Sequence, residues 1–267
     1  RAAATIYQEN STPYIAAYAV HPDITRSGDY VFRTSFMGEV QGRAGAKLIG
    51  EIMGKKKVSV ITLANDFGKS LAAGFKQASA AYGIEIISEY DYSIKDREFG
   101  PIVSKVKSES PDAIYASGYF FTAGPLVSQL RAAGIDVPVI GQEGYDGEMF
   151  IKIAGEASLD RDSTDPLASA FIEGFQAKSG YPADMVSAST HTAVLVLAAA
   201  LKQSGAGDKA SLRDAIAATS INAATGNISF NKLGEVRKSV QVQIVRDGSW
   251  HHYAVISDPV LLAPPEE

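Results

Sequence analysis

Lys57–Leu63 reads KVSVITL and runs into Asn65-Asp66-Phe67-Gly68. The same device recurs twice. Ala113–Ser117 (AIYAS) runs into Gly118-Tyr119-Phe120-Phe121, and Val137–Ile140 (VPVI) runs into Gln142-Glu143-Gly144-Tyr145. Each is an apolar strand that ends in a polar-aromatic cluster. Residues at helical spacing separate the strands, so the pattern predicts one open parallel sheet. The strands then share a C-terminal edge, which is where open α/β sheets bind ligands. Aromatic walls and one carboxylate at that edge read as a small-molecule site built from Phe67, Tyr119, Phe120, Glu143 and Tyr145.

Working outward, Gly38–Met53 carries Val40, Ala44, Leu48, Ile49 and Ile52 on one helical face, and Gly54 follows as a stop. Ser70–Tyr82, Phe99–Ser108 and Ala123–Ala133 read as further helices, Glu85–Tyr92 as a strand, and about Glu148 to Ala154 as a last helix. The result is an α/β unit from about residue 37 to residue 155. Before it, Pro13–Val20 and Tyr30–Phe36 are extended. After it come three helical stretches, Asp165–Ser179, Val186–Gln203 and Lys209–Thr219. Val240–Val245 and Trp250–Ile256 then form a hairpin across Arg246-Asp247-Gly248, where Asp-Gly is a strong turn signal. Arg1–Thr5 has no apolar core of the signal-peptide kind and reads as the middle of a helix, so a portion upstream is expected.

Bulk properties narrow the function. With 267 residues the chain has room for two domains. A net charge of −5 and no basic block longer than Lys55-Lys56-Lys57 argue against nucleic acid. The chain has no cysteine, which excludes disulfides, thiolate metal sites and a cysteine nucleophile, and suits a periplasmic protein. The longest apolar run, Ala193–Leu201, is shorter than a membrane span. Gly68-Lys69-Ser70 resembles the end of a phosphate-binding loop, but Leu63 stands where the full motif has its first glycine. His251 and His252 point to opposite strand faces, and no residues have metal-ligand spacing. No G-x-S-x-G elbow is present. An enzyme of doubly wound type would need one of these signatures, so no catalytic residue, metal or cofactor is expected. Glu143 has a bland reading as a surface ion pair. Its place after an apolar strand favours a ligand cation, because a desolvated carboxylate requires a partner.

Taken in order, Pro13–Gly28 (PYIAAYAVHPDITRSG), Tyr30–Ser35, Asn65–Ser70 (NDFGKS), Tyr115–Gly124 (YASGYFFTAG) and Gly141–Ala157 (GQEGYDGEMFIKIAGEA) resemble the type I periplasmic solute-binding proteins of ABC importers. The likeness is to the branched-chain amino acid (leucine/isoleucine/valine-binding) group. It implies two doubly wound α/β lobes joined by a multi-segment hinge, with the first lobe incomplete at the N-terminus. Lobe one would hold 1–35 and 158–225, lobe two 36–157 and 231–257, and 258–267 would be a tail. Crossings would lie near Arg33–Ser35, Ala157 and Asn227–Phe230.

The resemblance also implies a function: an extracytoplasmic, periplasmic binding protein that closes its lobes on a small amino acid or organic acid. It would act as a monomer and deliver that ligand to a membrane permease. By position, Phe67 matches an aromatic wall, Tyr119 a ligand-contacting tyrosine, and Glu143 the acid that pairs with a ligand ammonium. Ala17, Tyr18, Ala19 and Val20 match the loop that holds the ligand's polar head. Three departures stand out, one being that the first lobe's serine-rich carboxylate-binding loop is expected upstream of Arg1. Val20 replaces a frequent threonine and its hydroxyl, leaving room for aromatic acids or amides. The short strand expected after Ala157 is missing. The alternative is a ligand-sensing domain of a receptor or regulator with the same fold, binding an aromatic acid or amide.

Overall fold

The structure is a computed structural model describing residues 2–146, 150, 166–205, 207–246 and 249–264. The expected helix at about 148–154, except Phe150, lies outside the described residues, as do the stretch 155–160 and the Asp247-Gly248 turn. The chain divides into two units, Arg1–Met37 with Asp162–Gln241 and Val255–Glu267, and Gly38–Arg161 with Val242–Ala254. In the first, helix α1 (Ala2–Glu9) precedes the parallel strands β1 (Tyr14–Ala16) and β2 (Val31–Arg33), registered Tyr14 to Val31 and Ala16 to Arg33. Both strands are shorter than the extended stretches expected for them.

The second unit is built on β3 (Lys57–Leu63), β4 (Glu85–Tyr92), β5 (Ala113–Ala116) and β6 (Val139–Ile140). They form one parallel sheet in the order β4-β3-β5-β6. From Val58 onward β3 is buried on both sides, as a central parallel strand must be. Helices α2 (Gly38–Lys47, continued by a π-helical turn Leu48–Ile52), α3 (Asp66–Ser79), α4 (Gly100–Glu109) and α5 (Phe120–Ala132) supply the covering layers. Val103 and Val106 of α4 and Leu126 and Leu130 of α5 share one core with Ile61, Leu63 and Ile114. On the opposite face Tyr115 is fully buried and stacks on Phe75 of α3, with ring centroids 4.2 Å apart.

Helices α2 and α3 approach closely because their facing positions lack side chains. A Cβ on Gly42 would lie 2.2 Å from the Leu71 carbonyl oxygen and 2.5 Å from the Phe75 nitrogen. Both obstacles are backbone, so they cannot rotate aside. Gly42→Ala gains helix propensity of about 1 kcal/mol, but forcing the helices apart costs about 1–3 kcal/mol. The expected net result is destabilisation in urea unfolding. A raised midpoint would show that the helix pair is not held at this distance.

Back in the first unit, α6 (Pro166–Ser179), α7 (Met185–Ser204) and α8 (Lys209–Ala217) lead into an antiparallel sheet of β7 (Ile221–Ala223), β8 (Gly226–Phe230) and β9 (Val236–Arg237). By length and composition alone α7 is apolar enough to cross a membrane, although its uninterrupted apolar run is only Ala193–Leu201. It nonetheless buries Ser189, Thr192, Val196 and Ala200, and the hydroxyls of Thr192 and Thr225 lie 2.9 Å apart. β10 (Val240–Arg246) pairs with β11 (Ser249–Ile256), and each strand begins or ends in the first unit and continues in the second.

The two units depart from the lobe boundaries read from sequence at several edges, most of all at 231–241. Residues 231–241 belong with the first unit, because β9 pairs with β8 and Glu235 forms a buried ion pair with Arg33. The ion pair is not local in sequence, with 202 positions between its partners. Leu262 is also buried and grouped with the first unit, so part of the expected tail packs.

Candidate functional site at the sheet edge

Although β4 lies between them in sequence, β3 and β5 are spatial neighbours. The chain therefore leaves them toward opposite sides, and their C-terminal ends form the switch point at which open α/β sheets leave a crevice. Asn65 to Phe67 emerge from β3, and Ser117 to Tyr119 from β5. Asn65 caps α3 by accepting a hydrogen bond from the Gly68 amide at 2.8 Å. The helix thus begins at Asp66, earlier than the spacing predicts, and Phe67 stands in its first turn. Tyr119 is the N-cap of α5, where its amide donates to the Thr122 hydroxyl at 3.1 Å.

These two caps set two rings face to face. Phe67 and Tyr119 are stacked with centroids 5.0 Å apart and planes 13° from parallel, and Phe121 continues the stack at 5.5 Å from Tyr119. The Arg97 guanidinium lies over the Phe121 ring, 5.6 Å from its centroid. Glu143 opens a short 3-10 turn after β6, half-buried with one carboxylate oxygen fully covered. Burial raises the Tyr119 phenol pKa, and the Glu143 carboxylate pushes the same way, opposed by a hydrogen bond with Asn65. The acid and the phenol therefore share one electrostatic environment. The loops meet backbone to backbone, since a Cβ on Gly144 would sit 2.4 Å from the Gly118 carbonyl oxygen.

Below this surface, side chains complete the bonding of β5's last carbonyls. Ala116 O accepts from Gln142 Nε2 at 3.0 Å and from the Tyr145 hydroxyl at 2.8 Å. Ser117 O accepts from the Tyr92 hydroxyl at 2.7 Å, and Ser117 Oγ accepts from the Leu63 amide at 2.9 Å. Strand ends leave such groups without ladder partners, and burial makes each unmade bond costly. Burial pushes the Tyr92 phenol up to about 12 and raises that of Tyr145 as well, so both remain neutral donors near neutral pH.

The structure thus brings Phe67, Tyr119 and Glu143 together, and it turns Tyr145 elsewhere. Phe120, half-buried like Tyr119, packs with it against the core shared by α4 and α5 and lies edge-on to Phe121 at 5.3 Å, while Phe121 joins the ring stack. Tyr145 is 4% exposed, and its hydroxyl is engaged by Ala116, so it braces the edge from beneath. It differs from the sequence-based expectation of a wall residue. Asn65, Tyr92, Ser117 and Phe121 were missed. Asn65 had a signal, an asparagine directly before a helix, whereas Ser117 and Tyr92 look like any strand residue.

In the first unit, Ala17, Tyr18, Ala19 and Val20 form the loop after β1, half-buried except for the exposed Ala19. Two of its carbonyls face inward. Ala17 O accepts from the Thr34 hydroxyl at 3.4 Å, and Ala19 O from Arg33 Nη1 at 3.1 Å. Among the described residues no group of three or more His, Asp or Glu side chains is placed to hold a metal.

An open parallel sheet with a polar-aromatic switch point, alongside a second α/β unit, is the architecture of type I periplasmic binding proteins, and this chain has that fold. The chain belongs to the periplasmic binding protein family, whose model matches residues 1–249. It is 28% identical over 243 residues to the leucine-, isoleucine-, valine-, threonine- and alanine-binding protein of Pseudomonas aeruginosa, a match covering 88% of this chain and 65% of that protein. The chain therefore spans a little under two thirds of that curated relative.

Among solved structures it is similar to a branched-chain amino acid transporter substrate-binding protein of Streptococcus pneumoniae in complex with isoleucine. The identity is 27% and the TM-score 0.83, covering 96% of this chain and 75% of that one. It is also similar to a solute-binding protein of an ABC transporter from R. palustris in complex with benzoate, at 25% identity and TM-score 0.81, covering 94% and 73%.

Proposed function

We propose that this chain is the solute-binding component of an ABC importer, working as a monomer in the periplasm and delivering a small amino acid or related carboxylate to a membrane permease. On this reading its two units are the two lobes of the binding protein. The observation that carries the proposal is the Phe67–Tyr119 stack beside the Glu143 carboxylate at the switch point. A carboxylate among aromatic rings selects a cation, and the rings select an apolar body next to it. The loop Ala17–Val20 of the first unit, taken by itself, offers backbone amides that suit a carboxylate. A cationic nitrogen, an apolar side chain and a carboxylate describe an amino acid. The ligands of these relatives support the class, and both amino acids and benzoate occur among them.

Thermal-shift measurements on the full chain with L-leucine, L-isoleucine, L-leucinamide and benzoate test this reading. A probe that binds only the folded state at a hundred times its Kd adds about 2.7 kcal/mol and raises the melting point. The amino acids are expected to stabilise more than benzoate, which brings a second negative charge toward Glu143. Stabilisation by benzoate alone would favour the aromatic-acid alternative, to which Val20 also lends itself. No shift with any of the four would count against a solute of this chemistry.

A further inference from the structure

Arg33 is fully buried at the end of β2, where an isolated guanidinium would be very costly. Its cost is met from two directions. On one side its Nε donates to Glu235 Oε2 at 3.0 Å and its Nη2 to Glu235 Oε1, a forked pair closed by the Thr25 hydroxyl on the same oxygen. On the other, Nη1 donates to the carbonyls of Ala19 at 3.1 Å and His21 at 2.9 Å. Ser35 Oγ lies 3.4 Å from the Ala19 carbonyl as well. Glu235 is in turn fixed by its own amide, which donates to Asn231 Oδ1 at 2.9 Å, and the Arg33 amide donates to the Gly234 carbonyl at 2.9 Å. Lys238 extends the tie, with Nζ 3.0 Å from the Thr34 carbonyl.

The consequence lies on the loop's outer side. With the Ala17, Ala19 and His21 carbonyls drawn inward, no acceptor among the described residues takes a hydrogen bond from the amides of Ala19 or Val20. We propose that Arg33 and Glu235 are positioning residues for solute binding: by holding the loop's carbonyls, they keep these amides aimed at an anionic group, and they make the loop's geometry depend on the Asn231–Glu235 turn. This rests on the reading of Ala17–Val20 as a ligand surface. Neither residue needs to touch the solute. The hydroxyl that Val20 lacks makes the device more important here, because backbone amides are then the donors the loop has left at that position.

Arg33→Lys keeps the charge but lacks the planar fork that serves a carboxylate and two carbonyls at once. Glu235→Gln keeps the shape and removes the charge. Both are tested in the full chain by amide hydrogen exchange and by calorimetric titration with L-leucine and L-leucinamide, which share the ammonium and differ at the carboxylate. In both variants exchange at residues 17–23 should quicken while residues 57–63 of the second unit stay protected. Affinity for L-leucine should fall about 10- to 100-fold, the usual effect of losing a partner that orients a binding group. Affinity for L-leucinamide should change much less. Equal losses for both probes, or unchanged exchange at 17–23, would overturn the positioning role. If instead the Ala19 and Val20 amide resonances of the unaltered protein ignore both bound L-leucine and bound benzoate, the ligand-surface reading falls first and takes the proposal with it.

Discussion

Glu143→Ala weakens binding of L-leucine by about 2–5 kcal/mol, the range found when one member of a buried, hydrogen-bonded charge pair is removed. The size follows from where the acid sits. One of its oxygens is covered, and its charge is felt by the partly buried Tyr119 phenol, whose pKa it helps to raise. A carboxylate in such surroundings is poorly hydrated, so an incoming ammonium regains much of the interaction that water supplied outside. Alanine leaves that ammonium desolvated and unpaired. The 3-10 turn that Glu143 opens should keep its backbone bonds, Tyr145 N to Gln142 O and Asp146 N to Glu143 O, because they do not use its side chain. Benzoate provides an internal control of opposite sign, since losing a negative charge should leave its binding unchanged or improve it. Titration calorimetry decides the matter, and undiminished leucine affinity in the variant would remove Glu143 from the site.

The sequence exposed this acid because its signal is short-range: an apolar strand, then a carboxylate, then glycine. The same logic placed Phe67 and Tyr119 at the ends of β3 and β5. It missed Phe121 because α5 begins at Phe120, three residues before the start read from the sequence. Successive residues on a helix point about 100° apart, so without the correct starting point neither ring can be assigned a side. Tyr145 failed for another reason. The turn after β6 folds back so tightly that a Cβ on Gly141 would lie 2.1 Å from the Tyr145 ring. No pattern of apolar residues encodes that reversal. In Tyr30–Phe36, alternation marked Arg33 only as sharing a face with Val31 and Ser35, because its partner lies some two hundred positions away, in a turn that carries no motif.

That distant partnership has the largest consequence for stability. Arg33→Met should cost about 3–5 kcal/mol, because it leaves the Glu235 carboxylate buried without its cation, at 2% residue exposure. Glu235→Leu should cost a similar amount by stranding the guanidinium. The double replacement should be much milder than the sum, since a buried ion pair exchanged for packed apolar side chains is often near neutral. It should still fall slightly short of the parent, because the carbonyls of Ala19 and His21 lose the Arg33 donor and keep only Ser35 Oγ at 3.4 Å and the Ile24 amide at 3.2 Å. The protein's single tryptophan, Trp250, belongs to the second unit, so its fluorescence is the wrong reporter. Exchange of the Val31–Arg33 amides, followed across a urea series, reads the first unit directly. A coupling of several kcal/mol between the two single replacements would identify the ion pair as what fastens β2 to the Asn231–Glu235 turn. Strict additivity would mean that each side chain is held by its other neighbours, and that Thr25 and the loop carbonyls, rather than the opposite charge, keep Arg33 in place.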